Sequence, residues 1–315
     1  MELILYPAPI ELPRRSPSEV HTVVKVACGR AHTVAITEAG AIFTLGNNAY
    51  GQCGRTVIED ENYSGSEVVT ILEPEIFNNE LIRDVVCGQD HTFFITETGK
   101  LFSCGWGADG QTGLGHYNNA QVPSRVKGEI EGENITKVSS VGDCVLALND
   151  KGQVYGWGNS EYHQILVDSD EQQVNTPINL KHLEQYGKIV DIAAGGSFAM
   201  ILNEAGDVFV WGYGILGFGP QGDIQKTPRQ IPPPIFNRNS FNPNLKVISI
   251  NCGLYHMAAI NSDNDLFMWG KNKFGCLGIG HENDQFFPYK SNVGAKVHKI
   301  LCGVDHSIAL CKPFI

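Results

Sequence analysis

The segment Cys104–His116, CGWGADGQTGLGH, contains residues whose spacing is typical of nucleotide binding. Its Gly105-x-Gly107-x-x-Gly110 pattern follows an apolar run, and such glycines let a backbone approach a pyrophosphate where a strand leads into a helix. Histidines four residues after a cysteine, as in Cys28 and His32, are candidates for metal binding. Each chemistry requires particular elements around these residues, so the organisation of the chain decides between them.

The chain is built from an internal repeat. Its pattern is a Cys or small residue, Gly, two variable residues, His, an apolar run, a turn, and an aromatic residue near Trp-Gly. Clear copies begin at Cys28, Cys87, Cys252 and Cys302, and degraded copies begin at Ser140 and Ala194. This near-even spacing of 50 to 59 residues indicates repeated structural units.

Each copy predicts the same β-hairpin. Thr92–Thr96 is rich in β-branched and aromatic residues, and Lys100–Cys104 returns as a second strand. Gly99 between them supplies a turn residue that tolerates positive φ. Further strands are expected from Ile135–Ser139 and Val247–Ile250. Four short strands repeated about every 50 residues predict an all-β chain folded as a β-propeller.

The repeat changes the interpretation of the glycine-rich segment. GADGQTG follows a strand of one blade, and similar segments, GNNAYGQCG and GKNKFGCLGIG, begin at Gly46 and Gly270. No long amphipathic helix follows, so the pattern disfavours a nucleotide-binding βαβ unit. Histidines spaced one per blade disfavour a metal site. No Gly-x-Ser-x-Gly nucleophile motif occurs. We therefore predict no catalytic residues, metal or cofactor, and a protein that is not an enzyme.

Composition narrows the function classes further. The formal net charge of -11 disfavours broad contact with nucleic acid phosphates. No apolar run approaches the roughly 18 residues of a membrane-spanning helix. The nine cysteines are odd in number and include no Cys-x-x-Cys pair. They predict reduced, buried thiols in a reducing compartment.

The repeat resembles that of the regulator of chromosome condensation family, over about Tyr6 to Ile315. That resemblance implies a seven-bladed β-propeller. We expect residues 1–315 to form a single propeller domain of about five to six repeats, with anchors near 28, 87, 140, 194, 252 and 302. Because only six anchors occur, we expect the chain to lack an N-terminal portion worth more than one blade. The alternative is a six-bladed closure that uses Leu3–Ile10 as the partner strand.

Segments outside the generic repeat, such as Asn159–Tyr162, are similar to a mitochondrial member of this family. The similarity implies a non-hydrolytic interaction protein of the mitochondrial matrix or inner membrane, with peripheral membrane association. Its implied role is to support assembly of the mitochondrial large ribosomal subunit, to act as a guanine-nucleotide exchange factor for a fusion GTPase, or both. The implied partners are a dynamin-like mitochondrial GTPase and the mitochondrial large-subunit rRNA with its modification and assembly factors. The alternative is an exchange factor or scaffold for another small GTPase or protein complex outside mitochondria.

The resemblance also implies partner-binding residues. In the family member that acts on the GTPase Ran, residues at the anchor histidine and just before it affect exchange. The matching positions in this sequence are Asp90, His91, Tyr255, His256, Asp305 and His306. Carboxylates there would compete for the phosphate-binding lysine of a GTPase or perturb its Mg²⁺. The favoured interpretation of the histidines is architectural: each is hydrogen-bonded within its blade and holds the turn against its neighbour.

Overall fold

The computed structural model describes residues 10–14, 16, 20–59, 69–166, 169 and 171–312. This part of the chain forms six antiparallel sheets, five with four strands and one with two. Sheet 1 contains β1 (Val23–Cys28), β2 (His32–Thr37), β3 (Ile42–Gly46) and β4 (Thr70–Leu72). Sheet 2 contains β5 (Ile82–Cys87), β6 (His91–Thr96), β7 (Leu101–Gly105) and β8 (Ala120–Arg125). Sheet 3 contains β9 (Ile135–Ser139), β10 (Cys144–Asn149), β11 (Val154–Asn159) and β12 (Gln173–Asn179).

The second half of the chain continues in the same order. Sheet 4 contains β13 (Ile189–Ala194), β14 (Phe198–Asn203), β15 (Val208–Tyr213) and β16 (Ile224–Gln230). Sheet 5 contains β17 (Val247–Cys252), β18 (His256–Asn261), β19 (Leu266–Gly270) and β20 (Gln285–Lys290). Sheet 6 contains β21 (Lys296–Cys302) and β22 (Ser307–Lys312). The helical elements are short 3-10 segments at Pro74–Phe77, Lys181–Tyr186, Pro233–Phe236 and Lys273–Gly275.

The predicted hairpins are confirmed. β6 and β7 pair in antiparallel register, with Phe93 opposite Ser103. The turn between them places Gly99 at φ 76°, and Asn264 takes φ 60° at the same position of sheet 5. Glycine and asparagine occupy this position because other side chains are strained at positive φ. The additional strands predicted at Ile135–Ser139 and Val247–Ile250 are also confirmed, and each is the first strand of its sheet.

The core consists of five apolar layers, each enclosed between two successive sheets. Along the middle strands, successive side chains point alternately into the two neighbouring layers. In β14, Phe198 and Met200 face sheet 5, whereas Ala199 and Ile201 face sheet 3. Both faces of an inner sheet are therefore buried, which explains why its strands are nearly continuous apolar runs. Sheets 1 and 6 each expose apolar residues on one face, among them Val26 and Leu310.

The segment with nucleotide-binding spacing adopts the predicted role of a loop between strands. β7 ends at Gly105, and the next regular element is β8, which begins at Ala120. No helix begins between them, so the pyrophosphate-binding geometry is missing here. No helix in the described ranges has the length and apolar character to cross a membrane. Residues 3–9 of the alternative closing strand Leu3–Ile10 lie outside the described residues.

Candidate partner-binding face

One edge of the sheets carries all the anchor turns. In sheets 1 to 5, a backbone hydrogen bond joins the turn to the end of the third strand or to the residue that follows it. For example, Trp106 N donates to Asp90 O at 2.8 Å, and Lys271 N donates to Tyr255 O at 2.9 Å. We call this edge the anchor face. It comprises the turns at 29–31, 88–90, 141–143, 195–197, 253–255 and 303–305 and the segments at 47–50, 106–109, 159–162, 213–217 and 271–274.

Three anchor histidines lie below this face and link neighbouring sheets. His32 Nε2 lies 2.8 Å from the hydroxyl oxygen of Thr92 on sheet 2. His91 Nε2 lies 2.8 Å from Ser140 Oγ, just after the first strand of sheet 3. His256 repeats the contact with Ser307 Oγ of sheet 6 at 2.9 Å. For these three histidines, the expectation of a hydrogen bond within the same blade is therefore wrong, because the partner hydroxyl belongs to the next sheet.

The hydrogen-bond network assigns the tautomer of these rings. Thr92 Oγ1 donates to Gln52 O at 2.8 Å, so it accepts the proton from His32 Nε2. Burial lowers the pKa of His32 to about 4 and that of His256 to about 4. Burial, together with the nearby His32, lowers the pKa of His91 to about 3. All three imidazoles are therefore neutral near pH 7, where they act as hydrogen-bond donors within the fold.

The glycine before each histidine is required by packing. A Cβ on Gly88 would lie 2.2 Å from His91 Cε1, and one on Gly29 would lie 2.6 Å from Gly88 O. The histidine ring thus rests directly on the glycine of its own turn, and successive turns are in close contact. Phe198 takes the place of the histidine in sheet 4 and packs on Gly195 in the same way. The motif is a packing unit that positions the outer residues of each turn.

The structure separates the six predicted partner-binding residues into two groups. His91 and His256 are fully buried. Asp90 is 15% exposed and forms a 2.6 Å ion pair with Arg30 of the preceding sheet. Tyr255, Asp305 and His306 lie at the surface. The Asp305 carboxylate is 34% exposed and lies 3.7 Å from Lys273 Nζ. These three residues are available to a partner, whereas the buried histidines act through the positions of the turns.

The anchor face also carries aromatic residues that the sequence analysis did not single out as a group. Tyr162 and Tyr213 stack across sheets 3 and 4 with ring centroids 4.8 Å apart. Tyr50 and Trp106 make an edge contact across sheets 1 and 2 at 4.6 Å. All four residues lie at or just after the end of the third strand of their sheets, and this shared repeat position is the feature of the sequence that could have predicted the group. Trp106 is only partly buried and therefore differs from Trp157, Trp211 and Trp269, which are buried between sheets.

A lysine extends this aromatic surface on sheet 5. Lys271 Nζ lies 5.1 Å from the centre of the Tyr255 ring, a cation–π contact. Phe274 is 70% exposed, and Lys273 Nζ lies 4.7 Å from its ring centre. Tyrosine, tryptophan and phenylalanine are enriched at the cores of protein interfaces, and tyrosine and tryptophan also at their hot spots. The arrangement is suited to binding a protein surface.

The face offers little for bond-making chemistry. Burial and the nearby Asp109 raise the pKa of Asp143, and Gln111 Nε2 donates to its carboxylate at 2.8 Å. The nine cysteines are free thiols, and burial raises the pKa of Cys144 to about 12, which disfavours the reactive thiolate. Among the described residues, no three His, Cys, Asp or Glu side chains are grouped closely enough to hold a metal ion.

Comparison with known proteins identifies related chains. A family profile described as RCC1-like domain matches residues 75–313. The Regulator of chromosome condensation (RCC1) repeat matches residues 23–52 and 39–95. The chain is 47% identical over 314 residues to the mouse RCC1-like G exchanging factor-like protein, covering 100% of this chain and 67% of that protein. The human protein of the same name is 46% identical over the same length.

Solved structures agree with this relationship. The crystal structure of human WBSCR16 superposes with a TM-score of 0.93 at 46% identity, covering 98% of this chain and 76% of that chain. Yeast RCC1 (Prp20), solved with Kap60, superposes with a TM-score of 0.76 at 18% identity, covering 92% of this chain and 68% of that chain. The second match concerns the fold alone. The predicted β-propeller of the regulator of chromosome condensation type is confirmed.

Proposed function

Because the chain belongs to the regulator of chromosome condensation (RCC1) repeat family, we propose that its anchor face binds a GTPase and promotes guanine-nucleotide exchange. No covalent bond is made or broken in this activity. The proposal is supported by the names of the mouse and human relatives, which describe a G exchanging factor-like protein. Its main structural support is the exposed Tyr255–Lys271 pair on the sheet 5 turn, which is joined by the backbone hydrogen bond from Leu254 N to Gly303 O to the turn that carries Asp305.

The residues have distinct roles in this proposal. Tyr255 supplies a large contact area at low entropic cost, since its ring already packs against Lys271. Asp305 is held by Lys273 at 3.7 Å, a contact loose enough for its carboxylate to exchange partners. A carboxylate there would accept hydrogen bonds from the phosphate-binding lysine of a GTPase once nucleotide leaves. Exchange accelerates when the factor binds the nucleotide-free state more tightly than the nucleotide-bound state.

We further propose that the GTPase is a dynamin-like mitochondrial protein and that this chain acts in the mitochondrial matrix or at the inner membrane as a peripheral protein. This finer assignment rests on the similarity of segments such as Asn159–Tyr162 to a mitochondrial family member. The alternative partner is another small GTPase, or another protein complex, outside mitochondria. Both versions use the same face, and they differ in the identity of the bound protein.

A second candidate function is a scaffold for assembly of the mitochondrial large ribosomal subunit. The observation that favours it is the row of aromatic contacts across four sheets, which gives a broad protein-binding surface. The net charge of -11 favours contact with rRNA-modification and assembly proteins over direct contact with the large-subunit rRNA. A scaffold would keep its partners bound without changing the nucleotide state of any GTPase.

Release of a fluorescent GDP analogue from the dynamin-like GTPase tests the exchange proposal. The wild-type chain should accelerate release, and Tyr255→Ala and Asp305→Asn should each reduce the acceleration by about tenfold or more. Lys181→Gln is the matched control, since Lys181 is exposed and begins a 3-10 segment away from the anchor face. Its rate should equal that of the wild type.

The scaffold candidate predicts a different result. The chain would co-sediment with large-subunit precursors, and nucleotide release would be unchanged by its addition. Unaccelerated release with two unrelated GTPases would overturn the exchange proposal. Equal activity of Tyr255→Ala, Asp305→Asn and wild type would instead show that exchange does not use the anchor face.

A further inference from the structure

A groove runs along β8, the outermost strand of sheet 2. Its volume is about 520 Å³. Its walls combine an apolar part with a polar and cationic part, and it lies outside the anchor face described above. The groove is lined by residues that include Leu114, His116, Val122, Ser124, Arg125 and Lys127.

Both ends of this groove are held against sheet 3. Gly115 N donates to Asn175 O of β12 at 2.8 Å. Beyond the other end, Glu129 N donates to Pro177 O of the same strand at 3.1 Å, and Glu129 Oε2 accepts from Asn179 N at 2.8 Å. These contacts fix the segments before and after β8. A preformed groove of this kind loses little entropy when a ligand binds.

Among the described residues, no carboxylate forms an ion pair with the cationic side chains of the groove. Arg30 and Arg238 form ion pairs with Asp90 and Asp207, but within the described part of the chain no such pair involves Arg125 or Lys127. Arg125 Nη1 donates to Leu101 O at 3.3 Å, which leaves most of its guanidinium N–H groups for a ligand.

The positive charge of the partly buried Arg125 guanidinium is only weakly balanced by the carboxylates around it. Burial lowers its pKa, and the more distant carboxylates of Glu80 and Glu131 oppose that shift. Its guanidinium carbon also lies 5.7 Å from the Phe102 ring centre, which orients the planar group. An oriented guanidinium with free donors is the geometry that binds a carboxylate through two parallel hydrogen bonds.

β8 also has an open edge. It pairs with β7 and has no strand on its other side in the described sheet. An unpaired edge strand presents backbone N–H and C=O groups to which an extended peptide can add. Val122 is 43% exposed and supplies an apolar contact midway along the strand. Backbone, apolar and cationic groups are thus aligned along one groove.

We propose that this groove binds an extended acidic segment of a partner protein. Carboxylates of the segment pair with Arg125 and Lys127, and its aliphatic side chains contact Leu114 and Val122. A peptide fits this chemistry better than an RNA strand. The apolar wall has no role for a phosphodiester backbone, and the net charge of -11 opposes a long polyanion. This site is separate from the anchor face, so its test does not depend on the exchange activity.

Fluorescence anisotropy with a labelled peptide of alternating glutamate and valine tests the proposal at low salt. Arg125→Gln and Lys127→Gln should each weaken binding, by about tenfold for the better-oriented Arg125. Lys226→Gln removes the same charge from the exposed strand β16 of sheet 4 and should leave the affinity unchanged. Amide hydrogen exchange of 120–125 should slow when the peptide binds.

Two comparison probes make the outcome decisive. A peptide with glutamine in place of glutamate should lose most of the affinity, and a short oligouridylate should bind more weakly than the acidic peptide. Equal binding of the glutamine peptide, tighter binding of oligouridylate, or an unchanged affinity of Lys127→Gln would each overturn the proposal. Lys127 is exposed, so its variant remains informative if Arg125→Gln fails to fold.

Discussion

His91 of sheet 2 and Ser140 at the start of the sheet 3 turn are joined by a 2.8 Å hydrogen bond across the boundary between their sheets. His32 with Thr92, and His256 with Ser307, repeat this relationship. Apolar packing between sheets is weakly directional, and other hydrogen bonds cross the same boundaries, such as that from Trp157 Nε1 to Gln111 O. A buried hydrogen bond has a required geometry, so these links fix how neighbouring anchor turns are aligned.

The first prediction concerns the stability supplied by His91. His91→Ala removes a buried ring and the cross-sheet hydrogen bond, and it should lower the free energy of unfolding by about 2–4 kcal/mol. Urea unfolding followed by tryptophan fluorescence measures this loss. His306→Ala is the matched control, since His306 has the same repeat position but is exposed, and it should change stability by less than about 0.5 kcal/mol. Equal losses in the two variants would contradict the architectural role.

The second prediction concerns the pH dependence of stability. Burial lowers the pKa of His32 to about 4 and that of His256 to about 4, while that of His91 is about 3. In the unfolded chain these groups titrate near pH 6.5. Because their folded pKa values are depressed, their contribution is present above pH 6.5 and is lost as the pH falls toward 4. Each histidine should cost about 2 kcal/mol of stability by pH 5.

Urea midpoints measured between pH 7 and pH 5 test this dependence. His91→Gln removes one group that takes up a proton on unfolding, so the stability of this variant should fall less steeply with decreasing pH. His306→Gln should leave the slope unchanged. A flat stability profile over this range would show that the three imidazoles have the same pKa in the folded and unfolded chain, which contradicts their burial.

The architecture could be predicted from the sequence because the residues that determine each hairpin lie close together along the chain. Gly99 and Asn264 mark hairpins through their positive φ, and a run such as Thr92–Thr96 has strand composition by itself. The partner of His91 was not accessible, because Ser140 lies 49 positions away and its approach depends on how two sheets pack. For the same reason the sequence did not distinguish the buried His256 from the exposed His306.

The third prediction concerns the turn glycine Gly88. A Cβ at this position would lie 2.2 Å from His91 Cε1, so Gly88→Ala should displace the ring and cost about 2–4 kcal/mol. The double variant Gly88→Ala/His91→Ala removes the ring that the new methyl group meets. Its loss should therefore be smaller than the sum of the two single losses by about 1 kcal/mol or more. Additive losses in chemical unfolding would show that the methyl group disturbs something other than His91.

The fourth prediction compares buried tryptophans that differ in whether their indole N–H is hydrogen-bonded. Trp211 Nε1 donates to Gln164 O of the preceding sheet at 3.0 Å, and Trp157 Nε1 donates to Gln111 O at 2.9 Å. Trp269 Nε1 has no hydrogen-bond partner among the described residues. Trp211→Phe loses a hydrogen bond and leaves Gln164 O unsatisfied, whereas Trp269→Phe removes an N–H that was already unpaired. Trp211→Phe should therefore cost about 1–2 kcal/mol more than Trp269→Phe. Thermal and urea unfolding of the two variants measure the difference, with equal losses or the reverse order contradicting it.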